Sequence, residues 1–141
     1  MATRAIIRFA MRESGISFSE HPDKWHAQLY VSRDGYPESL GLDIANSIVD
    51  GVSLGDIEID SLDTKRGNLD YIYYIWQHYD KSTWMSIFKV GKEVICDQPD
   101  CCKKLVEKVD KCIFVGEPMT LQERIYNLSK FETLEVQTKY D

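Results

Sequence analysis

One stretch constrains this chain more than any other: "YIYYIWQH" at 71–78, followed by "YDKST" and then "WMSIFKV" at 84–90. Aromatic and β-branched residues crowd both runs, a composition that fits a pleated, packed surface and suits an extended chain better than a helix. The alternation puts Tyr71, Tyr73 and Ile75 on one face and Ile72, Tyr74 and Trp76 on the other, so both faces carry rings. A β-hairpin at the centre of a sheet is therefore expected. Its second face needs a cover of its own: another helix, a ligand or another subunit.

The remaining segments supply the partners. "RAIIRFAM" reads as a strand with Ile7 and Phe9 on one face and Ile6 and Arg8 on the other. "KWHAQLYVS" alternates Trp25, Ala27, Leu29 and Val31 against His26, Gln28, Tyr30 and Ser32, and the short connection makes it antiparallel to the first strand. From Pro37 to Asp50 the spacing of Leu40, Ile44 and Ile48 is helical, with Gly51 as the stop. "DIEI" fits a short strand and "KEVICD" an edge strand. "DCCKKLVEKVDKCIFVG" is ambiguous, since Leu105 and Val109 sit at helical spacing while "CIFV" looks like a short strand or packed turn. A last helix is expected over "TLQERIYNLSKFE", where Thr120 and Glu123 have capping-box spacing. The fold class is α+β: a single domain over 1–141, with two or three helices packed on one side of a mostly antiparallel sheet.

Composition narrows the function. A hydrophobic fraction of 43% with 28% charged residues is ordinary for a globular protein, and no apolar run nears the ~20 residues of a membrane span. The opening "MATRAIIRFAMRESG" lacks the apolar core and cleavage site of a secretory signal, so a cytoplasmic location is expected. With a net charge of −6 and scattered basic residues, the chain is a poor binder of long nucleic acids. Cys96, Cys101, Cys102 and Cys112 fall in one stretch, but a vicinal pair followed by a nine-residue gap does not match zinc-site spacing. Reduced cysteines and no metal or other cofactor are expected; what the four thiols contribute is left open.

Motifs for catalysis are missing: there is no Gly-rich phosphate loop, no HExxH and no GxSxG. His21, His26 and His78 sit where surface or hydrogen-bonded histidines usually sit, and the expectation is a binder and not an enzyme. The corner "RDGYP" at 33–37 has two readings. It is a well-made strand-turn-helix corner, with Asp-Gly for the turn and Pro at a helix start. It is also a place where backbone N–H groups, Arg33, Asp34, Gly35 and Tyr36 would meet a phosphate at a helix N-terminus. For the hairpin rings, the core reading competes with a stacking surface for a base, with Tyr74 and Trp76 as candidates. Arg124 in the last helix, with a ring such as Trp76, would form a second wall, from the same or a neighbouring subunit.

"TRAIIRF", the strand running into "DGYPESLGLDI" and the hairpin "DYIYYIW" together resemble a family of small phage and prophage proteins in which a TRA-type first strand and a DGYP corner recur. The match covers the first fifty residues well and the hairpin loosely, and only Asp34 to Pro37 carries over residue by residue. The family resembles the anti-Thoeris sponges, which neutralise bacterial immunity by sequestering a cyclic ADP-ribose-type signal without cleaving it. The resemblance implies a homo-oligomer with pockets at subunit contacts; related sponges also take cyclic oligonucleotides at separate sites. A protein-protein inhibitor of a host defence protein and a small hydrolase of nucleotide signals are the alternatives. Neither the signal isomer nor the oligomer order is readable from the sequence.

Thiol titration of the denatured protein should return all four cysteines of the sequence, and metal analysis of the native protein should find no stoichiometric zinc.

Overall fold

The computed structural model describes residues 3–11, 20–22, 24–55, 57–91 and 110–128. Strands β4 (Tyr71–Gln77) and β5 (Thr83–Lys89) form the expected aromatic hairpin, with Trp76 opposite Trp84 and Tyr73 opposite Ile87. Around them stand β1 (Ala5–Met11), β2 (Lys24–Val31), the short β3 (Glu58–Asp60) and β6 (Lys111–Gly116), giving the sheet order β3-β2-β1-β4-β5-β6. Every pairing is antiparallel except the central one, β1 with β4, which is parallel. Two helices, α1 (Leu42–Asp50) and α2 (Pro118–Tyr126), pack on one face, so the class is α+β. "CIFV" belongs to a strand. "KEVICD", the Leu105 and Val109 spacing, and Cys96, Cys101 and Cys102 lie outside the described residues.

The helix-covered face is apolar. Ala5, Ile7, Tyr73, Met85, Ile87 and Phe114 from the sheet meet Leu40, Ile44, Ala45 and Leu121 from the helical layer, all buried. Fully burying an aliphatic side chain of this size contributes about 1.5–3 kcal/mol, so this layer dominates the stability. Gln122 of α2 ties the two helices together by donating to Asn46 Oδ1 at 2.8 Å.

The second face carries its own cluster. Ile6, Ala10, Leu69, Ile72, Tyr74, Trp76 and Phe88 are buried there, flanked by Trp25, Tyr30, Trp84, Val90, Cys112 and Val115. The rings on this side are thus covered by neighbouring side chains and by His21, whose ring stacks on Phe88 at 4.0 Å, and the need for another subunit to bury them falls away.

Three local expectations change. A β-bulge between Phe9 and Ala10 pairs Ala10 with Trp25 and Phe9 with Ala27. It moves Trp25 off the Leu29 face and onto the face of Tyr30, because the extra residue breaks the two-residue alternation. The corner helix opens with a π-turn over Pro37–Gly41 before α1 begins, and both Leu40 and Gly41 of that turn are buried. Helix α2 starts at Pro118 with Glu117 as N-cap and no side-chain cap bond. The fixed φ and absent N–H of a first-turn proline set the start two residues before Thr120, which leaves the capping box unused.

Gly35 is needed for close approach and not for a positive φ. The positive φ belongs to Asp34, at 53°. A Cβ on Gly35 would lie 2.8 Å from Ala5 Cβ and 3.0 Å from the Thr3 carbonyl oxygen. Gly35→Ala should therefore lower unfolding stability by about 1–3 kcal/mol, the usual scale of overpacking, and Tyr73→Phe, which orphans the buried Gly35 carbonyl, by a comparable amount. Urea denaturation of the two variants measures both.

Candidate functional site

The corner at the end of β2 comes first because its parts divide. Arg33 and Asp34 are exposed and line a cleft of about 540 Å³ with Ser39, Asp43, Leu54 and Ile57. Among the described residues the side chains of Arg33, Asp34 and Asp43 have no hydrogen-bond or ion-pair partner. Gly35 is buried: its N–H donates to the Thr3 carbonyl at 3.0 Å and its own carbonyl accepts from the Tyr73 hydroxyl at 2.6 Å. Tyr36, 41% exposed, turns instead to a smaller groove of about 180 Å³ beside Asp70, Tyr71 and Lys89. The helix start is not an open cradle of N–H groups. Ser39 and Leu40 both donate to the Tyr36 carbonyl, Pro37 has no N–H, and Glu38 adds a negative charge to the first turn.

The other candidates lie apart from the corner. Tyr74 and Trp76 are buried on the second face, and the Trp76 indole N–H donates to Ser86 Oγ at 2.9 Å. Arg124 lies on α2 over the Phe114 ring, 5.3 Å from its centroid. The sheet separates Arg124 from Trp76, so within one chain they do not share a wall. Tyr73, fully buried beneath the helices, has its hydroxyl pKa pushed well above the ordinary tyrosine value by burial, so the hydroxyl stays protonated and a donor.

A polar network that the sequence reading did not single out crosses the second face from β3 to Asp110, just before β6. Arg66 stacks on Tyr30 at 3.8 Å and grips Asp60, with Nε 3.1 Å from Oδ2 and Nη2 2.5 Å from Oδ1. Gln28, buried on β2, donates to Asp60 Oδ2 at 2.9 Å and accepts from Arg8 Nε at 2.9 Å. Arg8 Cζ lies over the Trp25 ring, 3.8 Å from its centroid, and Nη1 donates to the Tyr74 hydroxyl at 3.0 Å. That hydroxyl lies 2.8 Å from His21 Nδ1, and His21 Nε2 lies 2.9 Å from Asp110 Oδ2, within ion-pair distance though not aligned as a hydrogen bond. Bordering this network is a cleft of about 650 Å³ shared by Arg8, Arg66, Gly67, Asn68, Gly91 and Asp110. The available signal was Arg8 itself, a charge in the middle of an apolar strand whose flanking positions are core. Among the described residues no group of His, Cys, Asp and Glu is arranged to hold a metal ion, and Cys112, half-buried, forms no disulfide. No helix there is long and apolar enough to cross a membrane.

Comparison with family models, with curated proteins and with solved structures gives no match. The class that can be stated is that of the fold: an α+β domain with helices on one face of its sheet and a polar network with an open cleft on the other.

Hydrogen bonds from Arg66 hold the Asp60 carboxyl below the usual carboxylate range, Gln28 acting in the same direction and burial against it. A carboxyl whose folded pKa is depressed contributes stability above its unfolded value, about 4, and loses it as pH falls through the folded pKa. The melting temperature of the wild type should therefore drop in that acidic window, and the drop should be shallower in Asp60→Asn, measured by thermal denaturation across pH.

Proposed function

We propose that this protein is a non-enzymatic sponge that binds and sequesters a cyclic ADP-ribose-type signalling nucleotide, serving a phage or prophage against host immunity in the host cytoplasm. The observation that carries this reading is the corner cleft, in which Arg33, Asp34 and Asp43 are uncommitted among the described residues around an apolar floor of Val31, Leu40, Leu54 and Ile57. Its volume of about 540 Å³ is within the range of small-molecule sites. The chemistry matches in three parts. Arg33 offers a guanidinium fork to a diphosphate, the two carboxylates accept hydrogen bonds from ribose hydroxyls as acidic residues do in dinucleotide folds, and the apolar floor takes a base. Affinity alone suffices for sequestration, with no transition state to stabilise.

The resemblance of "TRAIIRF" and "DGYP" to the sponge family supports the same reading and adds a homo-oligomer to it. The exposed Ile48, Val49, Ile57 and Ile59 offer apolar surface for a second copy.

Calorimetric titration with cyclic ADP-ribose isomers, followed by heating the complex and chromatography of what it releases, tests the proposal. Intact ligand is expected; an altered ligand would mean a hydrolase, and no uptake would favour a protein-protein inhibitor. Arg33→Ala should weaken binding by about 1.5–3 kcal/mol, the scale of a charge-assisted hydrogen bond, with the melting temperature unchanged because Arg33 is exposed and unpartnered among the described residues.

A further inference from the structure

We propose that the helix-free face of the sheet holds a second, separate binding site, built on Arg8 and Arg66, for the phosphate group of a small molecule. The starting point is the position of Arg8. It is half-buried on a central strand and, among the described residues, has no carboxylate within ion-pair distance. Its two hydrogen-bond partners, the Gln28 carbonyl oxygen and the Tyr74 hydroxyl, are both neutral. A cation removed from bulk water and left without an anion is costly, and a bound anion offsets that cost.

Rigidity of the donor is the second observation. A guanidinium carries five N–H donors, and Arg8 spends one on Gln28 and one on Tyr74 while its Cζ lies over the Trp25 ring at 3.8 Å. Gln28 is in turn held by Asp60 and by the Thr64 carbonyl, and Tyr74 by its contact with His21. The orientation of Arg8 is therefore set before any ligand arrives, and its remaining N–H groups are left for one. Donors fixed in advance lose little freedom on binding.

The third observation is the surroundings. Arg8 lines the cleft of about 650 Å³ together with Arg66 and Asn68. Arg66 is itself paired with Asp60 and Glu58, so it serves as a rim donor with its charge already balanced. Among the described residues Asp110 is the one carboxylate lining the cleft; it accepts from the Gly91 N–H at 2.9 Å, and His21 Nε2 lies within ion-pair distance of it. Several convergent donors around one uncompensated cation suit an oxyanion with more than two oxygens, hence phosphate over carboxylate. The site lies on the face opposite the helices, away from the corner cleft, and it stands or falls independently of the sponge reading.

Titrating the isotope-labelled protein with inorganic pyrophosphate, against sodium chloride at matched ionic strength, tests the site. Saturable shifts of the Gly67, Asn68 and Gly91 amide signals are expected, together with a change in Trp25 fluorescence that disappears in Trp25→Phe. The affinity read from the Gly67, Asn68 and Gly91 signals should weaken at least tenfold in Arg8→Gln and less in Arg66→Gln. Adenosine monophosphate as a second probe separates the sources: tighter binding than pyrophosphate identifies a phosphorylated nucleotide, equal or weaker binding a free phosphate. The proposal is overturned if the salt control reproduces the shifts, if they are confined to Ser32 to Asp34, or if the Gly67, Asn68 and Gly91 signals reach no saturation. The amide map uses the wild type alone, so it decides the matter even if Arg8→Gln does not fold.

Discussion

The hydrogen bond from the Tyr73 hydroxyl to the Gly35 carbonyl is the contact on which the rest of the architecture depends. It joins the centre of the sheet to the corner where the chain leaves β2, inside the buried core. An unpaired carbonyl at this depth would cost about 1–3 kcal/mol. Because Gly35 also donates to Thr3, the corner is anchored to β1 and β4 together. The π-turn and α1 follow from that anchor. Gly41, next along the chain, brings the helical layer against Tyr73, Ile87 and Leu121, where a Cβ would already be within 3.5–3.6 Å of each.

The two faces of the sheet solve the burial of aromatic rings differently. On the helix side Tyr73 and Phe114 are enclosed by aliphatic side chains, and one hydroxyl needs one acceptor. On the other side the rings of Trp25, Tyr30, Tyr74 and Phe88 serve as platforms for Arg8, Arg66 and His21. Cation-π contact and a relay of hydrogen bonds hold the charged groups on this sheet face. One face is committed to stability, whereas the other keeps donors on view.

Much of this was legible in particular residues. The alternation of Tyr71 to Trp76 identified a central strand with two buried faces, and Pro37 and Gly51 bounded the corner helix, because periodicity and φ preferences act within a few residues. The division of "RDGYP" was not legible. Four adjacent residues look like one site on paper, yet successive side chains point in different directions, so Arg33 and Asp34 reach one cleft, Tyr36 another, and Gly35 none. For Tyr74 and Trp76 the core and stacking readings stood side by side, because alternation along a strand does not say what covers each face.

The sequence by itself determined the strands, the corner and the helix that leaves it, since each is a local consequence of side-chain spacing, turn residues and proline. Tertiary structure alone decided the parallel pairing of β1 with β4, which depends on where the chain crosses back after β3. It also decided the β-bulge opposite Phe9 and Ala10, a property of two strands in register and of neither alone. That bulge turns Trp25 beneath Arg8. Arg8, Gln28 and Asp60, far apart along the chain, become neighbours only when β1, β2 and β3 lie side by side, which is why the network across the second face belongs to the fold and to no segment of the sequence.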